Sequence, residues 1–92
     1  MNEPKSEAPY FGITLGGDIL FHEDGKVIEI GMYTKERPKG FTNVELFAKS
    51  VRKWQYPHEK EEITPTIREQ ILHKASWLIE LKYAPAKVTI VW

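Results

Sequence analysis

An Asp-Gly pair between two apolar runs is the sequence feature that most constrains the fold of this chain. Asp24-Gly25 separates residues 18–22 from residues 27–33, and both runs are rich in β-branched and aromatic side chains. The tight two-residue turn of a β-hairpin requires positive φ angles, which glycine and aspartate adopt more readily than most residues. The pair therefore predicts an antiparallel hairpin in the N-terminal half.

Three further runs predict additional strands around this hairpin. Residues 12–15, 41–46 and 87–92 are short, apolar and mostly rich in β-branched or aromatic residues. Residues 34–40 are charged, contain proline and glycine, and predict a loop. Because consecutive strands joined by short turns run antiparallel, we expect a mainly antiparallel sheet of four to five strands.

A short helix is predicted where the strand pattern gives way to helical spacing. Phe47, Val51 and Trp54 recur at i, i+4 and i+7, which places them on one side of a helix about two turns long. Pro57 forces the preceding residue into an extended conformation and ends this helix. We expect the three apolar side chains to have a structural role in the core.

A second, longer helix is predicted from residue 65 to about residue 81. Thr64 is a favourable N-cap, Pro65 suits the first helical position, and an apolar stripe follows at helical spacing. At 1.5 Å per residue this helix is about 25 Å long. Such a stripe is buried against a sheet, so the fold class predicted is α+β: a small two-layer domain with both helices on one face of the sheet.

The length and composition indicate one domain. Ninety-two residues suffice for a single core, which we place at residues 11–92, with residues 1–10 as a flexible polar leader. Cysteine is absent, which fits a reducing compartment, and no apolar run approaches the roughly 20 residues that span a bilayer. We therefore expect a cytoplasmic protein without membrane association, and a monomer.

The sequence contains no recognisable catalytic or metal-binding pattern. His22, His58 and His73 lack the spacing of metal ligands. Ser50, His58 and Glu59 include the residue types of a nucleophilic triad, but nothing in the sequence places them together. We expect no enzyme activity, no metal and no cofactor.

The charges balance overall but are segregated along the chain. Residues 1–33 carry a net charge of −4, residues 34–53 carry +4, and the remainder is neutral. Adjacent patches of opposite sign suit a protein partner better than a nucleic acid, which favours one continuous basic stripe. The alternative is a small nucleic-acid-binding module, in which Lys49, Arg52 and Lys53 form a basic patch near aromatic residues.

A family resemblance enters through several short motifs between residues 12 and 81. The residues that carry it are Gly40-Phe41 at a strand start, Ser50, Arg52 and Trp54 as Ser-x-Arg-x-Trp, and Pro57-His58 followed by Glu59. Together they resemble the immunity protein 74 family. The chain differs from that pattern at Tyr56, where a second proline is expected, and in its C-terminal strand.

The resemblance implies an immunity protein of a bacterial polymorphic-toxin system such as contact-dependent growth inhibition. Such a protein binds and neutralises the C-terminal effector domain of its cognate toxin, commonly a nuclease. If that domain is basic, the contact surface on this chain is acidic. The candidate partner-binding residues are Glu59, Glu61, Glu62, Asp18, Glu23, Asp24 and Glu29. The first three are favoured because a loop can reach into a cleft.

Overall fold

A computed structural model describes residues 8–37 and 40–92 of the chain. Within these residues there are six strands, one turn of 3₁₀ helix and one α-helix. They are β1 (Tyr10–Ile13), β2 (Ile19–Glu23), β3 (Lys26–Ile30), β4 (Met32–Arg37), β5 (Gly40–Phe47), the 3₁₀ turn (Ala48–Ser50), α1 (Pro65–Lys82) and β6 (Lys87–Val91). The predicted α+β class is confirmed, with six strands in two sheets where four to five in one sheet were expected.

The first sheet is antiparallel and contains the predicted hairpin. Its strand order is β1-β2-β3, and Glu23 pairs with Lys26 across the turn. Asp24 and Gly25 have φ angles of 51° and 77°, as a type I′ turn requires. The hairpin prediction is therefore confirmed.

The second sheet begins where the chain bends at Gly31. The predicted strand at 27–33 is divided there, and the N–H of Phe47 donates to the Gly31 carbonyl at 2.9 Å. The Ser50 hydroxyl accepts from Gly31 N–H at 2.8 Å and lies about 3.4 Å from where a Cβ would stand. Glycine thus allows a close approach at the junction of the sheets. Beyond it, β4 extends through residue 37, into the region predicted as a charged loop.

One strand pair of the second sheet is parallel. Its order is β4-β5-β6, with β4 antiparallel and β6 parallel to β5. A parallel neighbour requires a crossover connection, and α1 lies in the connection between β5 and β6. The predicted C-terminal strand is confirmed; its parallel direction was not foreseen.

The predicted short helix is replaced by the end of β5 and a single 3₁₀ turn. Phe47 remains in strand pairing with Val91 and is 36% exposed, contrary to the expectation that it lies in the core. The Ser50 hydroxyl donates to the Phe47 carbonyl and accepts from Gly31 N–H, so it supports the turn rather than a longer helix. Val51 and Trp54 are buried, as expected, but in an irregular segment.

The long helix follows the sequence prediction closely. Thr64 caps it, its Oγ1 accepting from the N–H of Ile67 at 3.2 Å, and Pro65 is its first residue. Its apolar stripe lies in one core cluster with both sheets. The buried members of that cluster are Ile19, Phe21, Ile28, Ile30, Val44, Leu46, Ala48, Val51, Trp54, Ile63, Ile71, Leu72, Ala75 and Ile79.

The predicted leader overlaps with the first residue of β1. Residues 1–7 lie outside the described residues, and Tyr10, assigned to the leader, is the first residue of β1. None of the helices within 8–37 and 40–92 combines the length and apolar character needed to cross a membrane.

Candidate partner-binding surface

The segment between the 3₁₀ turn and α1 is attached to the open edge of β3. The N–H of Gln55 donates to the Val27 carbonyl at 2.8 Å, so the segment covers an edge that would otherwise be unpaired. Two successive turns follow, in which His58 N–H donates to the Gln55 carbonyl and Glu61 N–H donates to the His58 carbonyl. These bonds hold the acidic run against the hairpin.

A lysine on the hairpin completes this attachment. The ammonium of Lys26 lies 2.7 Å from Glu61 Oε1, and it also lies 5.5 Å from the centre of the Trp54 ring. His58 Nδ1 lies 2.9 Å from the other carboxylate oxygen of Glu61. Lys26 therefore joins the hairpin to both the buried and the acidic part of the segment.

Five of the seven predicted carboxylates are consequently brought to one end of the molecule. We call this surface the acidic end; it consists of Glu23, Asp24, Glu59, Glu61 and Glu62. Three lysines lie among them, namely Lys26, Lys60 and Lys74, so the net charge of this region is −2 with histidine neutral.

Two of these carboxylates are already neutralised within the chain. Glu23 forms an ion pair with Lys74 of α1, and Glu61 forms one with Lys26. The hydrogen bond from Lys26, with a smaller contribution from His58, lowers the pKa of Glu61 below its ordinary value. Each carboxylate would therefore have to share or exchange its lysine to bind a partner, and both remain predicted contacts.

The other three carboxylates of the acidic end have no ion-pair partner among the described residues, and two of them are exposed. Asp24 and Glu62 are exposed and make no ion pair or side-chain hydrogen bond within the described part of the chain. Glu59 is half-buried, and its Oε2 is covered without a hydrogen-bond partner there. A covered carboxylate oxygen without a donor costs free energy, and because it is covered, a partner could donate to it only after the side chain turns outward.

Asp18 and Glu29 form a separate pair on the other face of the first sheet. They adjoin the buried residues Ile19 and Ile30, and their side chains therefore point away from the core. A hydrogen bond that the protonated Glu29 carboxyl donates to Asp18, then burial and the negative charge of Asp18, raise the pKa of Glu29. Asp18 Oδ1 also accepts from the N–H of Met32 at 3.3 Å. These two residues are not part of the acidic end.

The three basic residues of the alternative patch lie together near the 3₁₀ turn. Arg52 Nε donates to the Lys49 carbonyl at 3.2 Å, and Lys49, Arg52 and Lys53 are all exposed. None of the three forms an ion pair within residues 8–37 and 40–92. Trp54, which the sequence placed beside them, is buried and offers no stacking surface.

Sequence reasoning missed the two organising lysines, Lys26 and Lys74. Each is separated from its carboxylate partner by more than thirty residues, so no local spacing identifies the pair. Among the described residues, no group of three or more histidine, aspartate or glutamate side chains is arranged to hold a metal ion.

No family model, curated protein or solved structure matches this chain.

Proposed function

We propose that the chain is a cytoplasmic immunity protein. It binds and neutralises the C-terminal effector domain, a nuclease, of a cognate contact-dependent growth inhibition toxin. The observation that carries the proposal is the acidic end, where the Lys26–Glu61 contact joins two distant parts of the sequence and where Asp24, Glu59 and Glu62 have no internal partners among the described residues. The resemblance to the immunity protein 74 family agrees with this assignment.

The physical basis of the inhibition is charge complementarity with a nuclease surface that binds phosphates. Such a surface is basic, and an acidic partner accelerates encounter toward about 10⁸ M⁻¹s⁻¹. Slow release requires nanomolar affinity or better, which corresponds to about −12 kcal/mol. An arginine or lysine of the toxin that pairs with the exposed carboxylates of Asp24 and Glu62 would contribute charge-assisted hydrogen bonds.

The test is a paired charge reversal measured against the toxin domain encoded beside this protein. Glu59→Lys with Glu62→Lys reverses two free carboxylates and leaves the Lys26–Glu61 contact intact. Glu29→Lys with Glu69→Lys is the charge-matched control, because it changes the net charge by the same amount at carboxylates that are not members of the acidic end. We expect the first pair to weaken toxin binding at least about 100-fold and to abolish growth protection, since close interfacial charge pairs couple by several kcal/mol.

The same experiment shows how the proposal could fail. Unchanged affinity for the first pair, or an equal loss for the control, would remove the acidic end as the contact surface. Absence of both binding and protection with the wild-type protein would reject the immunity function itself.

The alternative function is nucleic-acid binding through Lys49, Arg52 and Lys53. Its support is that the three cations are exposed and, among the described residues, free of ion pairs. If single-stranded nucleic acid binds at this patch, the logarithm of its binding constant should fall by about 0.7 per contacted phosphate for each tenfold increase in salt concentration. Lys49→Ala with Lys53→Ala should reduce this salt dependence. If the chain is instead an immunity protein, it should still bind the cognate toxin at moderate salt and should not bind other toxins.

A further inference from the structure

A second candidate surface lies on the face of the second sheet that α1 does not cover. Tyr33, Glu45 and Thr89 lie opposite one another on β4, β5 and β6, so they form a row across all three strands. Together with Asn43 they line a cleft of about 260 Å³. The neighbouring residues Val44 and Leu46 are buried on the opposite face, which places this row on the solvent side.

Glu45 is the central charged group of this cleft. It stands on the middle strand, half-buried between its neighbours, while Tyr33 is 58% exposed. Its carboxylate makes no ion pair or hydrogen bond within the described residues. The cleft therefore presents an unpaired negative charge beside an accessible aromatic ring.

The remaining groups extend the chemistry of the cleft. The Thr89 hydroxyl and the side-chain amide oxygen of Asn43 are additional acceptors for N–H donors. The next row along the sheet pairs Phe47 with Val91, which are 36% and 38% exposed. In the row on the other side, Lys87 pairs with Asn43, and among the described residues it forms no ion pair with Glu45. The cleft is thus polar, with the Glu45 carboxylate at its centre, a lysine at one border and a small apolar surface at the other.

We propose that this cleft binds an arginine side chain of a protein partner, with an apolar residue beside that arginine packing on Phe47 and Val91. A planar guanidinium can donate to the Glu45 carboxylate and stack on the Tyr33 ring at the same time, which an ammonium does less well. The charge of Glu45 favours a cationic side chain, and the apolar surface of Phe47 and Val91 favours an apolar residue next to that arginine in the partner. This site is separate from the acidic end and does not depend on the identity of the toxin.

The test uses two blocked dipeptides that differ only in charge at one side chain. Acetyl-Leu-Arg-amide and acetyl-Leu-citrulline-amide are titrated into the ¹⁵N-labelled full chain, and amide chemical shifts are followed by NMR. We expect saturable shifts at Tyr33, Glu45 and Thr89 with the arginine peptide, at a dissociation constant on the order of 1 mM. The citrulline peptide should leave these amides unshifted at the same concentration.

A pair of isosteric variants then assigns the effect to one carboxylate. Glu45→Gln should weaken binding of the arginine peptide about tenfold, as expected when a charge-assisted hydrogen bond is lost, while Glu69→Gln on the exposed face of α1 should leave it unchanged. The proposal is overturned by equal shifts with both peptides, by absence of saturation, by shifts confined to the acidic end, or by unaltered affinity of Glu45→Gln. Because no toxin is involved, the result is independent of the charge-reversal experiment.

Discussion

Replacing Trp54 by alanine should destabilise the protein far more than replacing either of its other two tryptophans. Trp54 is 5% exposed in the core, whereas Trp77 and Trp92 are about 60% exposed. A tryptophan buries about 150–250 Å², which at about 25 cal/mol per Å² corresponds to about 4–6 kcal/mol. Truncations of core aromatics cost about 3–5 kcal/mol, and we expect Trp54→Ala to lie in that range.

The measurement is urea unfolding followed by far-UV circular dichroism, since removing a tryptophan changes the fluorescence signal itself. Trp77→Ala is the matched control and should lower the free energy of unfolding by less than about 1 kcal/mol. A fold of this size has a total stability of about 5–15 kcal/mol, so Trp54→Ala could leave little folded protein. In that case Trp54→Phe, which preserves more of the volume, should fold and lose about 1–3 kcal/mol.

The comparison can refute the assignment of Trp54 to the core. A loss below about 1 kcal/mol for Trp54→Ala, or an equal loss for Trp77→Ala, would mean that Trp54 does not anchor the segment between the 3₁₀ turn and α1. The same result would remove the packing reason for the position of Lys26, whose ammonium lies over the indole ring.

Two further predictions concern the hairpin and its link to the acidic end. Gly25→Ala should lower the free energy of unfolding by about 1–2 kcal/mol, because the backbone φ at this residue is +77°. Gly12→Ala should lower the free energy of unfolding by less, because a Cβ there meets open space and φ is not positive. Equal effects of the two substitutions in urea unfolding would contradict the turn assignment. Lys26→Met should destabilise the protein near neutral pH. Because Lys26 lowers the folded-state pKa of Glu61 below 4.5, the stabilisation it provides through Glu61 is complete above that pH and is lost as the pH falls through the folded value. The difference in unfolding midpoint between wild type and Lys26→Met should therefore narrow in acid, and a constant difference from pH 7 to pH 3 would contradict the ion pair.

The elements that were predicted correctly are those with local signals. Thr64 and Pro65 mark the start of α1, and the positions of its apolar residues match one helical face. Asp24-Gly25 determines its turn because few other pairs adopt two consecutive positive φ angles. In both cases the interacting residues are near one another in the sequence.

The errors in the fold arise where distant residues compete with local preference. Phe47 has helical spacing with Val51 and Trp54, but its backbone pairs with Gly31 and Val91 and therefore extends β5. Strand pairing satisfies backbone groups that a short isolated helix would leave open at its ends.

The same distinction between local signals and long-range interactions applies to the candidate site. The sequence by itself determined that the chain has a hairpin, a long amphipathic helix, a terminal strand and seven candidate partner-binding carboxylates, and it contains no recognisable catalytic or metal-binding motif. Only the tertiary structure decided that five of those carboxylates share one end, and that Lys26 and Lys74 neutralise two of them. It also separated Asp18 and Glu29 from the rest and placed Glu45 in a cleft across three strands. The physical reason is that strand register and side-chain pairing over tens of residues depend on how the core packs, and no local pattern encodes them.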